Sequence, residues 1–208
     1  SQELRFKDEQ GKDFPDWEEK KLGEIGSFKN GINKDKKDFG FGVPFINLMD
    51  VFGRNCIKLT KLSLLNASEK EVKTYNLKRS DVLFIRSSVK REGVGLTAVI
   101  TEDLPQTVYS GFLIRFRLSE KALTPDFMKF CFYVSAFRKE LLSLATSSAN
   151  TNINQESLML VNISIPTRDE QTKIANFLSS LDQKIEQIDT QITQTQTFKK
   201  GLLQQMFV

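Results

Sequence analysis

Histidine is absent from this chain of 208 residues. That removes imidazole acid–base catalysis, Ser-His triads and most zinc sites. There is no P-loop and no dinucleotide fingerprint. Gly93-Val94-Gly95-Leu96-Thr97-Ala98 has only two of the three glycines such a fingerprint needs and reads as the start of a strand. No Asn/Asp-Pro-Pro-aromatic run occurs, the motif with which adenine and amino-cytosine methyltransferases hold a flipped base. A methyl-donor site is therefore not expected on this chain. No apolar run approaches the roughly 18 residues of a membrane span, and Ser1-Gln2-Glu3-Leu4-Arg5 carries no signal-peptide pattern. A first residue other than Met is expected of a processed or excised segment. Cysteine is scarce: Cys56 and Cys131 lie far apart, without metal-type spacing and among apolar neighbours. They read as buried, reduced thiols of a cytoplasmic protein. Asp16, Glu18, Glu19 and Lys20 hold the side chains of a nuclease centre, but crowded beside Trp17 and not converging from separate strands. Neither a catalytic centre nor a metal site is expected.

What is present is an ordinary apolar core and a modest positive charge. The hydrophobic fraction is 39%, and Phe supplies 17 of the aromatics against three Tyr and one Trp, a balance that points to core filling. Thirty basic residues face 26 acidic ones, for a net charge of +4. Beyond Thr167, Arg168, Lys173, Lys184, Lys199 and Lys200 balance Asp169, Glu170, Asp182, Glu186 and Asp189, so the whole excess precedes them. Positive charge gathered in one part of a chain is the electrostatic footprint of a nucleic-acid partner.

Residues 1–166 read as a globular α+β domain. Val43–Met49, Val82–Arg86, Val94–Ile100, Val108–Leu118 and Leu158–Ile165 are strand candidates, rich in β-branched residues and bounded by turn signals. Val94–Ile100 and Val108–Leu118 flank a short polar link with Pro105, the pattern of a hairpin. Thr124 is a fitting N-cap with Pro125 at the first helical position. Phe127, Phe130, Cys131, Val134, Phe137, Leu141 and Leu144 follow at helical spacing, predicting one core-facing helix.

The composition changes at Pro166. Thr167-Arg168-Asp169-Glu170 is a capping box, in which Thr167 accepts from the Glu170 amide and the Glu170 side chain reaches back. Ile174, Leu178, Leu181, Ile185, Ile188 and Ile192 then recur at alternating spacings of four and three, the seam of a heptad repeat. The register continues through Thr195, Lys199, Leu202 and Met206. A helix over 167–208 would be about 63 Å long and needs a partner to cover its seam. The alternative is a helix folded back on its own domain.

Three loops combine basic or amide side chains with turn residues. The first carries Lys29, Asn30, Asn33, Lys34, Lys36 and Lys37. The second, just past a strand, carries Arg86, Ser87, Ser88, Lys90 and Arg91. The third carries Ser147, Ser148, Asn150, Thr151 and Asn152 with no charge at all. Lys and Arg neutralise phosphates and release counterions; Ser, Thr and Asn orient a protein on phosphate oxygens; Asn and Arg can grip adenine and guanine edges. Solvated surface loops are the plain alternative.

Asn162-Ile163-Ser164-Ile165-Pro166, followed by Glu170-Gln171, Ile174-Ala175 and Phe177-Leu178-Ser179-Ser180-Leu181-Asp182-Gln183-Lys184-Ile185, resembles the specificity subunits of type I restriction–modification systems, where a target-recognition domain ends in a strand and Pro and a long helix begins. Trp17-Glu18-Glu19-Lys20-Lys21-Leu22-Gly23-Glu24 resembles the family's domain opening, Ser80-Asp81-Val82-Leu83-Phe84 its central strand, and Gly201-Leu202-Leu203-Gln204-Gln205-Met206-Phe207 the end of a unit. The resemblance implies double-stranded DNA as ligand, a methyltransferase subunit carrying S-adenosylmethionine, a restriction subunit joined through the complex, and no cofactor on this chain. It names no base-reading residues, because the recognition loops vary. It also implies two such units where this chain holds one. A half subunit that pairs with a second copy, or one half of a longer protein, would account for that; Gln2-Glu3-Leu4-Arg5-Phe6 resembles the start of a second unit. A free-standing coiled-coil DNA-binding regulator is the rival from another class.

Overall fold

The computed structural model describes residues 5–57 and 62–207. The elements run β1 (Glu18–Lys21), α1 (Leu22–Ile25), β2 (Gly26–Asn30), β3 (Phe39–Ile46), α2 (Leu48–Val51), β4 (Cys56–Ile57), β5 (Ser63–Leu65), α3 (Glu69–Tyr75), β6 (Val82–Ile85), β7 (Ser87–Ser88), β8 (Thr97–Ile100), β9 (Val108–Tyr109) and β10 (Leu113–Leu118). They continue with α4 (Pro125–Cys131), α5 (Ser135–Ser143), β11 (Thr146–Ser147), β12 (Thr151–Asn152), α6 (Gln155–Leu160), β13 (Asn162–Ile165) and the long α7 (Arg168–Met206). This is the expected α+β architecture with a long terminal helix.

A five-stranded sheet, in the order β2-β10-β6-β8-β4, forms the centre. Its middle strand β6 is buried at every position, and successive side chains on a strand point to opposite faces. One face therefore presents Val82, Phe84, Val99, Ile114 and Phe116, packed with residues of α1, α4, α5 and α6. The other presents Leu83, Ile85, Ala98, Ile100 and Leu113, packed with Ile46, Val51 and Tyr109. Phe84 stands edge-on to Phe28, Phe116 and Phe132 at centroid distances of 5.3–6.4 Å, an arrangement that adds to plain area burial. Phe thus fills the core, but not only the core: Phe39, Phe41, Phe52 and Phe112 are exposed.

Several expectations are corrected. Val94–Ile100 and Val108–Leu118 do not form a hairpin; β8 and β10 lie on either side of β6. β6 is buried on both faces, so it takes the central place and separates them. Val108–Leu118 breaks into two strands at Ser110–Phe112, and β9 leaves the central sheet to pair with β3. In Val43–Met49 the strand starts earlier, at Phe39, and stops at Ile46, because Asn47 caps α2 and the Asp50 carboxylate accepts from the Asn47 amide (2.8 Å). In Leu158–Ile165 only Asn162–Ile165 is strand; Asn154 caps α6 by accepting from the Ser157 amide (2.8 Å).

The helix capped by Thr124 is two helices. Phe132 turns onto Phe84, Phe116 and Phe137, while the Tyr133 hydroxyl donates to carbonyls of Thr97 and Arg54 on the sheet side. Val134 is extended and starts α5 afresh. Tethering Tyr133 to the sheet is incompatible with one continuous helical heading.

The start and end of the domain meet. β1 pairs antiparallel with β13 in the register Glu18↔Ile165 to Lys21↔Asn162, and Pro166 then launches α7. Thr167 accepts from the Glu170 amide (3.5 Å), but Glu170 does not close the capping box. Its buried carboxylate accepts from Arg5 and Trp17. Ala175 is buried and Ile174 packs on the core. From Leu181 onward, Ile185, Ile188, Ile192, Leu202 and Met206 are all exposed, while on another side of the helix Asn55 Nδ2 donates to Asp182 Oδ2 at 3.2 Å and an open cleft separates residues 182–194 from Gly53–Cys56 and Tyr133.

Candidate nucleic-acid interface

The second and third candidate loops come together in a sheet of their own. Its order is β11-β12-β7, with Thr146↔Asn152 and Ser147↔Thr151 on one side of β12 and Thr151↔Ser88 and Asn152↔Ser87 on the other. The sequence makes this sheet small and polar, since its six strand residues are Ser, Thr and Asn. It is tied to the core by flanking backbone: the Ile153 amide donates to the Arg86 carbonyl (2.9 Å), and the Arg86 amide to that of Phe112 (2.9 Å). Ile153 itself is buried. A buried apolar anchor thus holds hydroxyls and amides at the end of the central strand β6.

The tip turn at Ser148–Asn150 is closed on one acceptor. The Asn150 carbonyl takes the Ser148 amide (3.0 Å), the Ser148 hydroxyl (3.3 Å) and the Asn152 side-chain amide (3.0 Å). One Asn152 N–H is therefore used in the turn, and Thr151 is buried, its hydroxyl 3.3 Å from that of Ser147. Among the described residues the exposed Asn150 side-chain amide has no hydrogen-bond partner and points its chemistry to solvent. Positive charge stands beside it: Arg86, Lys90 and Arg91, with no carboxylate between Ile85 and Arg91 or between Leu141 and Gln155. Arg86 makes a long contact from Nη1 to the Gly111 carbonyl (3.4 Å) and Arg91 donates from Nη2 to that of Leu142 (3.1 Å), which leaves each guanidinium further donors. Lys90 is exposed.

The first loop divides. Asn30 closes β2 opposite Ile114. Exposed Asn33 lies against the Ser110–Phe112 turn; a Cβ on Gly111 would strike its side-chain amide. Since Arg86 reaches the same turn, Asn33 adjoins the small polar sheet. Lys29 and Lys34 turn toward α3. Lys29 Nζ sits 5.5 Å from the Tyr75 ring centroid, and Lys34 pairs with Glu71 (2.8 Å). The Lys34 ammonium, together with the Ser68 cap, holds the Glu71 carboxyl down at about 2. Lys34 is thus already neutralised within the fold, while Lys36 and Lys37 are exposed on a 3-10 turn.

Two exposed apolar residues at this sheet were not among the sequence candidates. Val89 is 84% exposed at the bend between Ser88 and Lys90, and Phe112 is 58% exposed on the turn that Arg86 and Asn33 share. No charge or amide pattern marks them; only their place next to turn residues could have. Among the described residues no three His, Cys, Asp or Glu side chains gather as metal ligands, and no helix is long and apolar enough to cross a membrane. Cys131 is buried and its thiol pushed up by desolvation; Cys56 is half-buried, and both are free.

A mixed α+β domain whose buried central strand ends in a small polar sheet, and which carries a long terminal helix, is a fold with solved counterparts. The S subunit of a type I restriction–modification system from M. genitalium superposes with a TM-score of 0.60 at 14% identity, over 90% of this chain and 43% of that one. A second structure, solved to describe complex assembly and conformational transition of a type I restriction–modification system, gives a TM-score of 0.64 at 22% identity over 93% of this chain and 45% of the other. The specificity subunit of the HindI type I restriction enzyme from Haemophilus influenzae is 27% identical over 201 residues, 93% of this chain and 41% of its own length. Residues 15–195 match the family described as type I restriction modification DNA specificity domain, and the chain belongs to that family. It spans less than half the length of the curated relatives it matches.

Proposed function

We propose that this chain reads DNA sequence for a type I restriction–modification assembly and catalyses nothing itself. In this reading the sheet of β7, β11 and β12 faces the duplex. Asn150 and Arg86 meet base edges, Phe112 and Val89 make apolar contacts such as thymine methyls offer, and Lys36, Lys37, Lys90 and Arg91 meet phosphates. S-adenosylmethionine sits on a partner methyltransferase subunit, a restriction subunit joins through the complex, and the assembly works in the cytoplasm. The exposed seam of α7 takes a partner helix, from a second copy or from the second half of a longer subunit, so that two recognition units address a bipartite target.

The observation that carries the reading is the joining of two separate polar segments, 86–91 and 146–152, in one sheet free of carboxylates. The test is genome-wide mapping of methylated sites in cells that carry the chain with the methyltransferase subunit of its system. Methylation at one bipartite sequence, lost when the chain is removed, is the expected result. Sequence-specific DNA binding with no effect on any methyltransferase would favour the free-standing regulator.

A further inference from the structure

The first turn of α7 is fastened by two adjacent buried side chains that grip different parts of the chain. Glu170 accepts from Arg5 Nε (3.2 Å), Arg5 Nη2 (3.0 Å) and Trp17 Nε1 (3.0 Å). Gln171 accepts from the Thr124 amide (2.8 Å) and donates to the carbonyls of Ala122 and Pro166 (2.9 Å each). Neighbouring residues stand about 100° apart around a helix. One anchor would leave a pivot; two on different bearings fix a heading.

The segment that reaches Glu170 also lies along the turns that follow. Phe6 stands edge-on to Phe177 at 5.6 Å, Lys173 donates to the Lys7 carbonyl at 2.9 Å, and the same ammonium lies 5.7 Å from the centre of the Phe14 ring. Residues 5–17 form a strap across the base of the helix. Farther out, the seam and the residues around it are exposed from Leu181 to Lys200. The direction of a 39-residue rod is therefore set in its first half, where the strap and Gln171 hold the base and Asn55 Nδ2 donates to Asp182 Oδ2 at 3.2 Å.

We propose that Arg5 and Trp17, acting through Glu170, are positioning residues that set the angle of α7 to the recognition domain and so fix the gap between the two halves of the DNA target. The inference rests on the functional reading above. Its physical basis is leverage. At 1.5 Å per residue α7 is about 59 Å long, so a tilt of about 5° at its base moves the far end by about 5 Å. A base-pair step is about 3.4 Å. Loosening the strap by a few degrees is enough to admit a target one base pair longer or shorter, while the sheet that reads bases is untouched.

The experiment measures methylation by the complete specificity subunit with its methyltransferase, on DNA in which the two half-sites are separated by every gap near the preferred one. Trp17→Phe keeps the ring packing and deletes the N–H; Glu170→Gln keeps the shape and deletes the charge that Arg5 pairs. In this 208-residue chain by itself Trp17 is the single tryptophan, so a red shift of its emission in the Glu170→Gln form of that chain reports release of the strap. Both variants are expected to keep the half-site bases and to narrow severalfold the ratio between the preferred gap and its two neighbours. A merely structural role would lower methylation equally at every gap, and that outcome, or an unchanged ratio, overturns the inference alone. An unmodified complex with no gap preference overturns the functional reading and this inference with it.

Discussion

Asn150 and Asn152 sit two residues apart and have different work to do. One Asn152 side-chain N–H is bonded within its own turn, whereas the Asn150 side chain is exposed at the tip of the sheet. Asn150→Ala is expected to change which base is tolerated at one target position by about 1–3 kcal/mol, the worth of a bidentate base contact. Asn152→Ala should instead weaken binding to all sequences alike. A methylation assay on a set of single-base variants of the target separates the two; identical profiles for both substitutions would remove Asn150 from the base-reading set. Gly111→Ala pushes on Asn33 and should resemble a recognition variant with no stability loss of core size. At the other end of the domain, Asp81 is buried and accepts from Arg117 Nε and Nη2 (2.7 Å each) and from the Lys78 amide (2.7 Å). Asp81→Ala strands a partly exposed guanidinium and an amide, and should destabilise the domain by about 3 kcal/mol in denaturant titration.

Among the elements, α3 shows how a charge can look like a binding group in sequence and serve the fold instead. Lys34 lies in a lysine run, yet its partner Glu71 is 37 residues away, and nothing local discloses the pairing. The Glu71 carboxyl is lowered from 4.5 to about 2 by Lys34 first and by the Ser68 cap next. A lowered carboxyl stabilises the fold above its unfolded value and loses that contribution as pH falls. The stability difference between the wild type and Glu71→Gln should therefore be full at pH 6 and fade between about pH 4.5 and 2. A constant difference over that range would dissociate Glu71 from Lys34. The clean probe of phosphate binding is then Lys36→Glu with Lys37→Glu, expected to weaken binding to every sequence and to flatten its salt dependence by roughly one unit of slope per lost contact. The same contrast explains what the sequence discloses. Caps at Thr124 and Thr167, the buried β6 and the seam of α7 follow from local spacing, and the local rules hold there. The break at Tyr133 and the capture of Glu170 by Trp17 depend on partners more than 30 residues away, and spacing is silent about those. The two polar loops were visible as chemistry, while their meeting across β12 was a product of strand order.

At the scale of the whole molecule, the seam of α7 is exposed from Leu181 to Met206. Leu181→Glu with Ile185→Glu is expected to abolish self-association at micromolar concentration in sedimentation while leaving the recognition domain folded; a monomeric unmodified chain with α7 intact would refute pairing through this face. Thr195 falls in the seam, but its hydroxyl already donates to the Gln191 carbonyl (2.8 Å), as those of Thr190, Thr193 and Thr197 do four residues back. Such threonines would enter an interface as methyl groups with no unmet donor, so in a paired α7 Lys199 is the seam residue expected to set the register. The clip of β1 on β13 has a different consequence. Strand neighbours lie about 5 Å apart, so the chain leaves the recognition body almost where it came in. Everything from Leu22 to Val161 hangs from that two-stranded clasp as a closed loop, which α7 meets at its base through Gln171 on Ala122 and Thr124. The body is built like an interchangeable tool head on a fixed handle: a different loop that kept the clasp and the seat for Gln171 at Ala122 and Thr124 should mount at the same angle.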